Sequence, residues 1–256
     1  MLTNTVVFFL RDALPIFWSI ALLSLLVADK RKWMISGGIA GSILCVILSL
    51  SIPKVSAMLD GSGYELLHIA LMLVNYVIFS WLYCAHENFD NGNDLWIAAA
   101  LALACMIALN ATNGMMFFAS FWQPAGANQV LLLGALLGLG ICASVAMLLV
   151  LLLDPIEQKA FARILLLLFA AGQVSQVANL LQQIDWFSSE QLWSTRQWVS
   201  DENELGQFLA TLFGYNSSPT IALTLFFIIA LVTPLLVRRT CSARLQNNLE
   251  QNHETD

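Results

Sequence analysis

The chain has 256 residues, of which 59% are hydrophobic and 11% charged, with a net charge of -6 and a mean hydropathy of +0.75. A water-soluble domain of this length cannot hide so much apolar surface, and runs long enough to cross a bilayer recur along the chain, so the fold class is an all-α polytopic membrane protein. No basic patch with interleaved aromatics occurs, which argues against a nucleic-acid partner. No nucleophile–base pair, phosphate loop or cofactor motif occurs either, which argues against an enzyme and against a resident cofactor.

A bilayer-length window predicts about seven spans, at 5–27, 34–52, 65–84, 95–121, 129–153, 161–184 and 219–237. The start of the chain lacks a basic n-region and a small-residue cleavage site, so the first span is read as a true helix. Within it Arg11 and Asp12 stand side by side, with Pro15 one turn on. Charge inside a span is costly and is retained for a reason. Adjacent residues on a helix point about 100° apart, so each is expected to find its partner elsewhere. Pro15 has no N–H for the Arg11 carbonyl, and a freed carbonyl beside a carboxylate makes a cation-coordinating pair. The alternative is a polar clamp between helices.

Lys30, Arg31 and Lys32 precede the second span, Lys159 and Arg163 lie by the sixth, and Arg238, Arg239 and Arg244 follow the seventh. All eight fall on one side if the N-terminus is outside and the C-terminus inside; Lys54 and Arg196 alone fall on the other. That asymmetry predicts an N-out, C-in topology. Gly37, Gly38 and Gly41 in the second span, and Gly134 and Gly138 in the fifth, predict close helix packing.

The third span opens with Glu65 and His68, three apart on one face as a gating or metal-binding pair would be, and continues to Asn75, Tyr76 and Ser80. An interfacial anchor is the other reading of Glu65. Residues 86–94 form a turn-rich loop with a histidine and acids, in which a weak metal site competes with a solvated loop. The fourth span carries Asn110 and Asn113, with Thr112 and Gly114, at a depth comparable with Arg11. These amides could satisfy the charges of the first span, or serve as helix-packing glue. In the sixth span Gln176, Asn179 and Gln183 make a polar stripe, which must face protein or water rather than lipid. Met115 and Met116 are read as core filling in preference to a soft-metal path. Cys45, Cys84, Cys105 and Cys142 lie in or beside apolar spans and Cys241 follows the last; their spacing fits no metal or disulfide framework.

The outer segment 185–218 holds Trp186, Phe187, Trp193 and Trp198, an amphipathic stretch expected at headgroup level. The acidic cluster 201–204 is read as a solvated face. Ser218 is the expected N-cap of the last span and Pro219 its first residue. The chain therefore divides into a transmembrane bundle, 1–239, and a polar cytoplasmic tail, 240–256.

Three stretches resemble the high-affinity iron permease family, the oxidase-coupled iron and lead transporters. FFLRDALPIF resembles the family's first Arg-Glu-x-x-Glu helix, LFAAGQVSQVANLLQQIDWF its sixth span, and LFGYNSSP the Gly-Tyr-x-x-x-Pro start of its seventh. The resemblance extends weakly over almost the whole chain. It implies an inverted three-plus-three repeat followed by one extra helix, and a permease moving iron or a related cation across a plasma membrane, bacterial inner membrane by type. Iron would then be substrate rather than cofactor, with Asp12 and Glu65 as metal ligands. It implies cation-pathway residues Arg11, Asp12, Glu65, His68, Asn110 and Asn113, lined by Gln176, Asn179 and Gln183. It further implies an extracytoplasmic iron-binding or oxidase partner and assembly as a homo- or hetero-oligomer.

The departures are chemical. Asp12 stands where the family has glutamate, and Pro15 replaces the motif's second acid. The second motif aligns with Asn110-Ala111-Thr112-Asn113-Gly114, without charge; a His-Glu pair aligns with Gln182 and Gln183, and an acid with Leu223. His68 stands where a second acid is expected in the third span. Fe³⁺ favours several carboxylates, so two acids would hold it weakly. Two further readings follow: a non-transporting paralogue that serves as subunit or assembly partner of an iron-uptake complex, and a permease for an uncharged substrate.

Overall fold

The computed structural model describes residues 2–27, 30–58, 61–85, 92–121, 128–153, 159–187, 190–201 and 203–253, with the backbone only at 2, 3, 92, 93, 204 and 241–253. Eight helices follow in order: α1 Leu2–Leu26, α2 Lys30–Ser56, α3 Gly63–Ala85, α4 Gly92–Phe121, α5 Asn128–Leu153, α6 Lys159–Gln183, α7 Glu204–Phe213 and α8 Ile221–His253. Seven of them, all but α7, are long and apolar enough to cross a membrane, so the protein is a multi-pass integral membrane protein. A helix is the form in which such a span satisfies its own backbone in lipid. Of the predicted loop 86–94, residues 86–91 lie outside the described residues, and 92–94 are instead the first turn of α4.

The core runs through α1, α3, α4 and α6. Leu14, Trp18 and Leu22 of α1 join Phe79, Leu103, Met106, Leu166 and Phe169 in one buried cluster. The other three spans lie around it and present apolar faces outward, as Ile39, Ile43 and Leu50 on α2, Leu136 and Met147 on α5, and Ile229 and Leu236 on α8 show. Such faces suit lipid, which costs nothing to meet an aliphatic side chain.

Glycine sets the closest approaches. A methyl group at Gly37 would lie 2.7 Å from the Ala100 carbonyl oxygen, and one at Gly41 2.8 Å from Ile107 Cβ and 3.0 Å from Ala104 Cα. Thus α2 runs parallel to α4 in direct backbone contact. On the other side, a methyl at Gly138 of α5 would lie 2.7 Å from Phe9 Cβ and 3.2 Å from the Val6 carbonyl oxygen of α1. Val6 and Phe9 therefore stand to Gly138 as Ala104 and Ile107 stand to Gly41. This is the exchange of halves that an inverted three-plus-three repeat requires. Carried along the helices, the same correspondence sets Asp12 against Asn110 and Pro15 against Asn113. Gly38 differs from its neighbours: nothing lies within 4 Å of its Cβ position, so it is not a packing glycine. Gly41→Val and Gly138→Val are accordingly expected to destabilise the purified protein by about 1–3 kcal/mol, whereas Gly38→Val should stay within about 0.5 kcal/mol. Thermal melting in one detergent compares the three; equal shifts would contradict this packing.

The segment after α6 breaks the helix at once. Asp185 takes a left-handed φ of 56°, and the Trp186 N–H returns to the Leu181 carbonyl at 3.0 Å, which ends α6. Trp186, Trp193 and Trp198 are exposed, and the helical part of the segment is α7, which lies against α1 and α6. Asp201 does not face solvent as a free acid. Its carboxylate accepts from the Ser217 N–H at 2.8 Å and from the Ser217 hydroxyl at 2.6 Å, strapping the loop before α7 to the one after it. The Thr195 N–H donates to the Ser217 carbonyl at 2.6 Å beside that strap. Asp201→Ala should cost about 1–3 kcal/mol, because two buried donors lose their acceptor. Faster limited proteolysis between α6 and α8 is the expected readout.

The start of α8 also differs. The helix begins at Ile221, and the Thr220 hydroxyl accepts from the Leu223 N–H at 3.4 Å, so Thr220 rather than Ser218 takes the N-cap place. Ser218 instead donates its N–H to Asn216 Oδ1 at 2.9 Å, closing an Asx turn before Pro219. At its other end α8 continues to His253, so the polar tail extends the last span as helix; its Ala, Arg, Leu, Gln and Glu residues favour that state.

Candidate functional site

A cleft of about 530 Å³ opens between α1, α3, α4, α6 and α7. Helical periodicity explains its walls. Arg11, Asp12 and Pro15 come from α1; Tyr64, His68 and Met72, four apart, come from α3; Asn110 and Asn113 come from α4. Gln173, Gln176, Asn179 and Gln183 line the α6 wall, and Ala210 and Thr211 complete it from α7. These positions lie in the first halves of α1 and α3 and the last halves of α4 and α6. The cleft therefore opens on the face where the chain begins, and the apolar cluster around Trp18, Phe79 and Phe169 closes it on the other.

The Arg11–Asp12 geometry corrects the expectation from helical spacing. Arg11 Nε donates to Asp12 Oδ1 at 2.9 Å. The long arginine stem bends sideways along the helix surface and overcomes the difference in direction of the two Cβ bonds. The pair is asymmetric: the Arg11 side chain is 60% exposed, whereas that of Asp12 is only 9% exposed. The Arg11 guanidinium also lies 5.3 Å from the centre of the Phe8 ring, which is stacked at 4.1 Å on Phe117 of α4. The other oxygen, Asp12 Oδ2, is buried and has no hydrogen-bond partner.

The asparagines do not neutralise this acid. Asn110 Nδ2 donates to the Met106 carbonyl of its own helix at 2.9 Å, and Asn113 Oδ1 accepts from the Tyr64 hydroxyl at 2.8 Å. Asn179 Nδ2 donates to Gln176 Oε1 at 2.8 Å, so the α6 stripe is bonded within itself. Gln173 Nε2 donates to the Thr211 carbonyl at 3.2 Å and ties α7 to the wall. His68 packs against Tyr64, ring centres 5.8 Å apart.

Glu65 is the expected residue that the cleft leaves out. It is half-buried beside the cleft residues Tyr64 and His68, with Oε2 buried and unpartnered, but it is not part of the lining. The reason is angular: Glu65 follows Tyr64 directly on α3, and the face that reaches the cleft is that of Tyr64, His68 and Met72. Among the described residues no group of three or more His, Cys, Asp or Glu side chains could hold a metal ion.

Sequence reasoning missed Tyr64, Met72, Gln173, Leu180, Ala210 and Thr211 as parts of the lining. Tyr64 carried a usable signal, lying one turn before His68 on the same face. Thr211 and Ala210 carried none, because nothing local to α7 says that it turns back against the bundle. Comparison with protein-family models, curated proteins and solved structures finds no match to this chain.

Proposed function

We propose that this seven-span protein is a permease for a small cation, which enters the cleft and is met by Asp12. The observation that carries this reading is Asp12 Oδ2: a carboxylate oxygen, buried, unpartnered and at the wall of a polar cleft within an apolar bundle. An acceptor left empty at that depth costs free energy unless a ligand or water fills it. The sequence resemblance to the iron permeases supports the same cation-permease role, with the open face external, as the distribution of basic residues suggests. The donor set favours weak, transient binding over tight Fe³⁺ capture, since one carboxylate and several amides replace a cage of acids.

Flux into proteoliposomes that contain this chain alone tests the reading, with Fe²⁺ and monovalent cations as the panel. Uptake above that of empty liposomes, lost in Asp12→Asn, is the expected result. Wild-type flux equal to that of empty liposomes would remove the permease reading and leave the assembly-partner reading in its place.

A further inference from the structure

The cleft is built for a particular kind of cation, and Arg11 is the clue. Arg11 and Asp12 cancel one another, so apart from the His68 imidazole the lining carries no net charge. With Arg11 displaced, a divalent or trivalent ion on Asp12 would still leave one or two uncompensated charges in a low-dielectric bundle, and the solvation penalty rises with the square of the charge. A monovalent cation that displaces Arg11 from Asp12 leaves the cleft no more charged than before, once Arg11 swings out to water.

Arg11 is placed to make that move. Its side chain is 60% exposed and already lies over the Phe8 ring, so losing Asp12 costs it little. The lining supplies acceptors for a cation that is also a hydrogen-bond donor. Asp12 Oδ2 is empty. Asn110 and Asn179 each give one N–H to a partner, the Met106 carbonyl and Gln176, while their amide oxygens accept none among the described residues and can take a ligand's N–H. The volume, about 530 Å³, falls in the range of small-molecule pockets and far exceeds that of a bare ion.

We infer that the cleft binds a small organic monocation, a primary ammonium or a guanidinium compound, whose charged head takes the place of the Arg11 guanidinium on Asp12. Arg11 is then a tethered surrogate that occupies the site when cargo is absent. This rests on the permease reading for its role in transport, but the binding event can be measured without it.

The test uses the full chain in lipid nanodiscs, titrated calorimetrically with methylguanidinium, butylammonium, sodium and ferrous ions. Saturable binding of at least one organic cation is expected, abolished by Asp12→Asn. Arg11→Gln removes the competitor and should tighten binding by about threefold to fivefold, the worth of a half-exposed ion pair. The inference is overturned if neither organic cation binds, or if Arg11→Gln weakens binding while its melting temperature stays that of wild type. Organic-cation binding without flux in proteoliposomes would overturn the permease reading and leave this one standing. Metal flux without organic-cation binding would do the reverse.

Discussion

Asp12→Asn should lower cation flux at limiting concentration by about 10- to 100-fold, the loss of one charge-assisted contact worth about 1.5–3 kcal/mol. The substitution keeps the side-chain shape, so the packing of α1 is preserved. It also removes an unpartnered buried oxygen charge, and the exposed Arg11 can turn to water and the Phe8 ring. Folding stability should therefore stay within about 1 kcal/mol of wild type, because a mostly exposed partner recovers its hydration. This combination separates a binding role from a structural one. A polar clamp between helices would lose stability and flux together. A melting temperature lowered in parallel with flux would show that Asp12 holds the bundle rather than the cargo.

Gly172→Val should have the largest structural effect. A Cβ at Gly172 would lie 2.5 Å from the Phe213 carbonyl carbon and 2.8 Å from the Gly214 nitrogen. Both are backbone atoms, so no rotamer change relieves the overlap and α7 must move as a body. Gly214 itself closes α7 in a left-handed conformation, φ 67° and ψ 24°, with its N–H on the Ala210 carbonyl at 3.0 Å. Displacing α7 also breaks the Gln173–Thr211 hydrogen bond and the edge contact of Trp18 with Phe213. A destabilisation of about 2–4 kcal/mol is expected. Leu212, fully buried against the core, reports it locally. A cysteine placed by Leu212→Cys should react with a maleimide about tenfold faster or more in the Gly172→Val background, as local opening becomes cheaper. Gly140→Val is the control, since nothing lies within 4 Å of its Cβ position. Equal labelling in both backgrounds would mean that α7 does not depend on this contact.

Asp12 and Asn110 show how far the repeat could be read in advance. The motif resemblance set Asn110-Ala111-Thr112-Asn113-Gly114 against the charged turn of α1 with Asn110 in the place of Arg11, and the matching contacts of Gly41 and Gly138 shift that register by one residue, to Asn110 in the place of Asp12. The chain thus keeps one acid where a symmetric bundle offers two equivalent places. An asymmetry of that kind suits one charged head better than a symmetric metal cage.

The sequence by itself determined the class, the number of spans, and nearly every residue of the cleft on α1, α4 and α6. The reason is that lipid allows no unpaired backbone and few polar side chains, so each polar residue within a span marks an inward face that periodicity can trace. Only the tertiary structure decided three things. It decided that Arg11 turns back onto Asp12, because side-chain reach outweighs Cβ direction. It decided that Glu65 stays outside the cleft, because the rotation of α3 is set by its neighbours. And it decided that α7 docks between α1 and α6, because the contact depends on Gly172 and Gly214 meeting across a separation that no local pattern records.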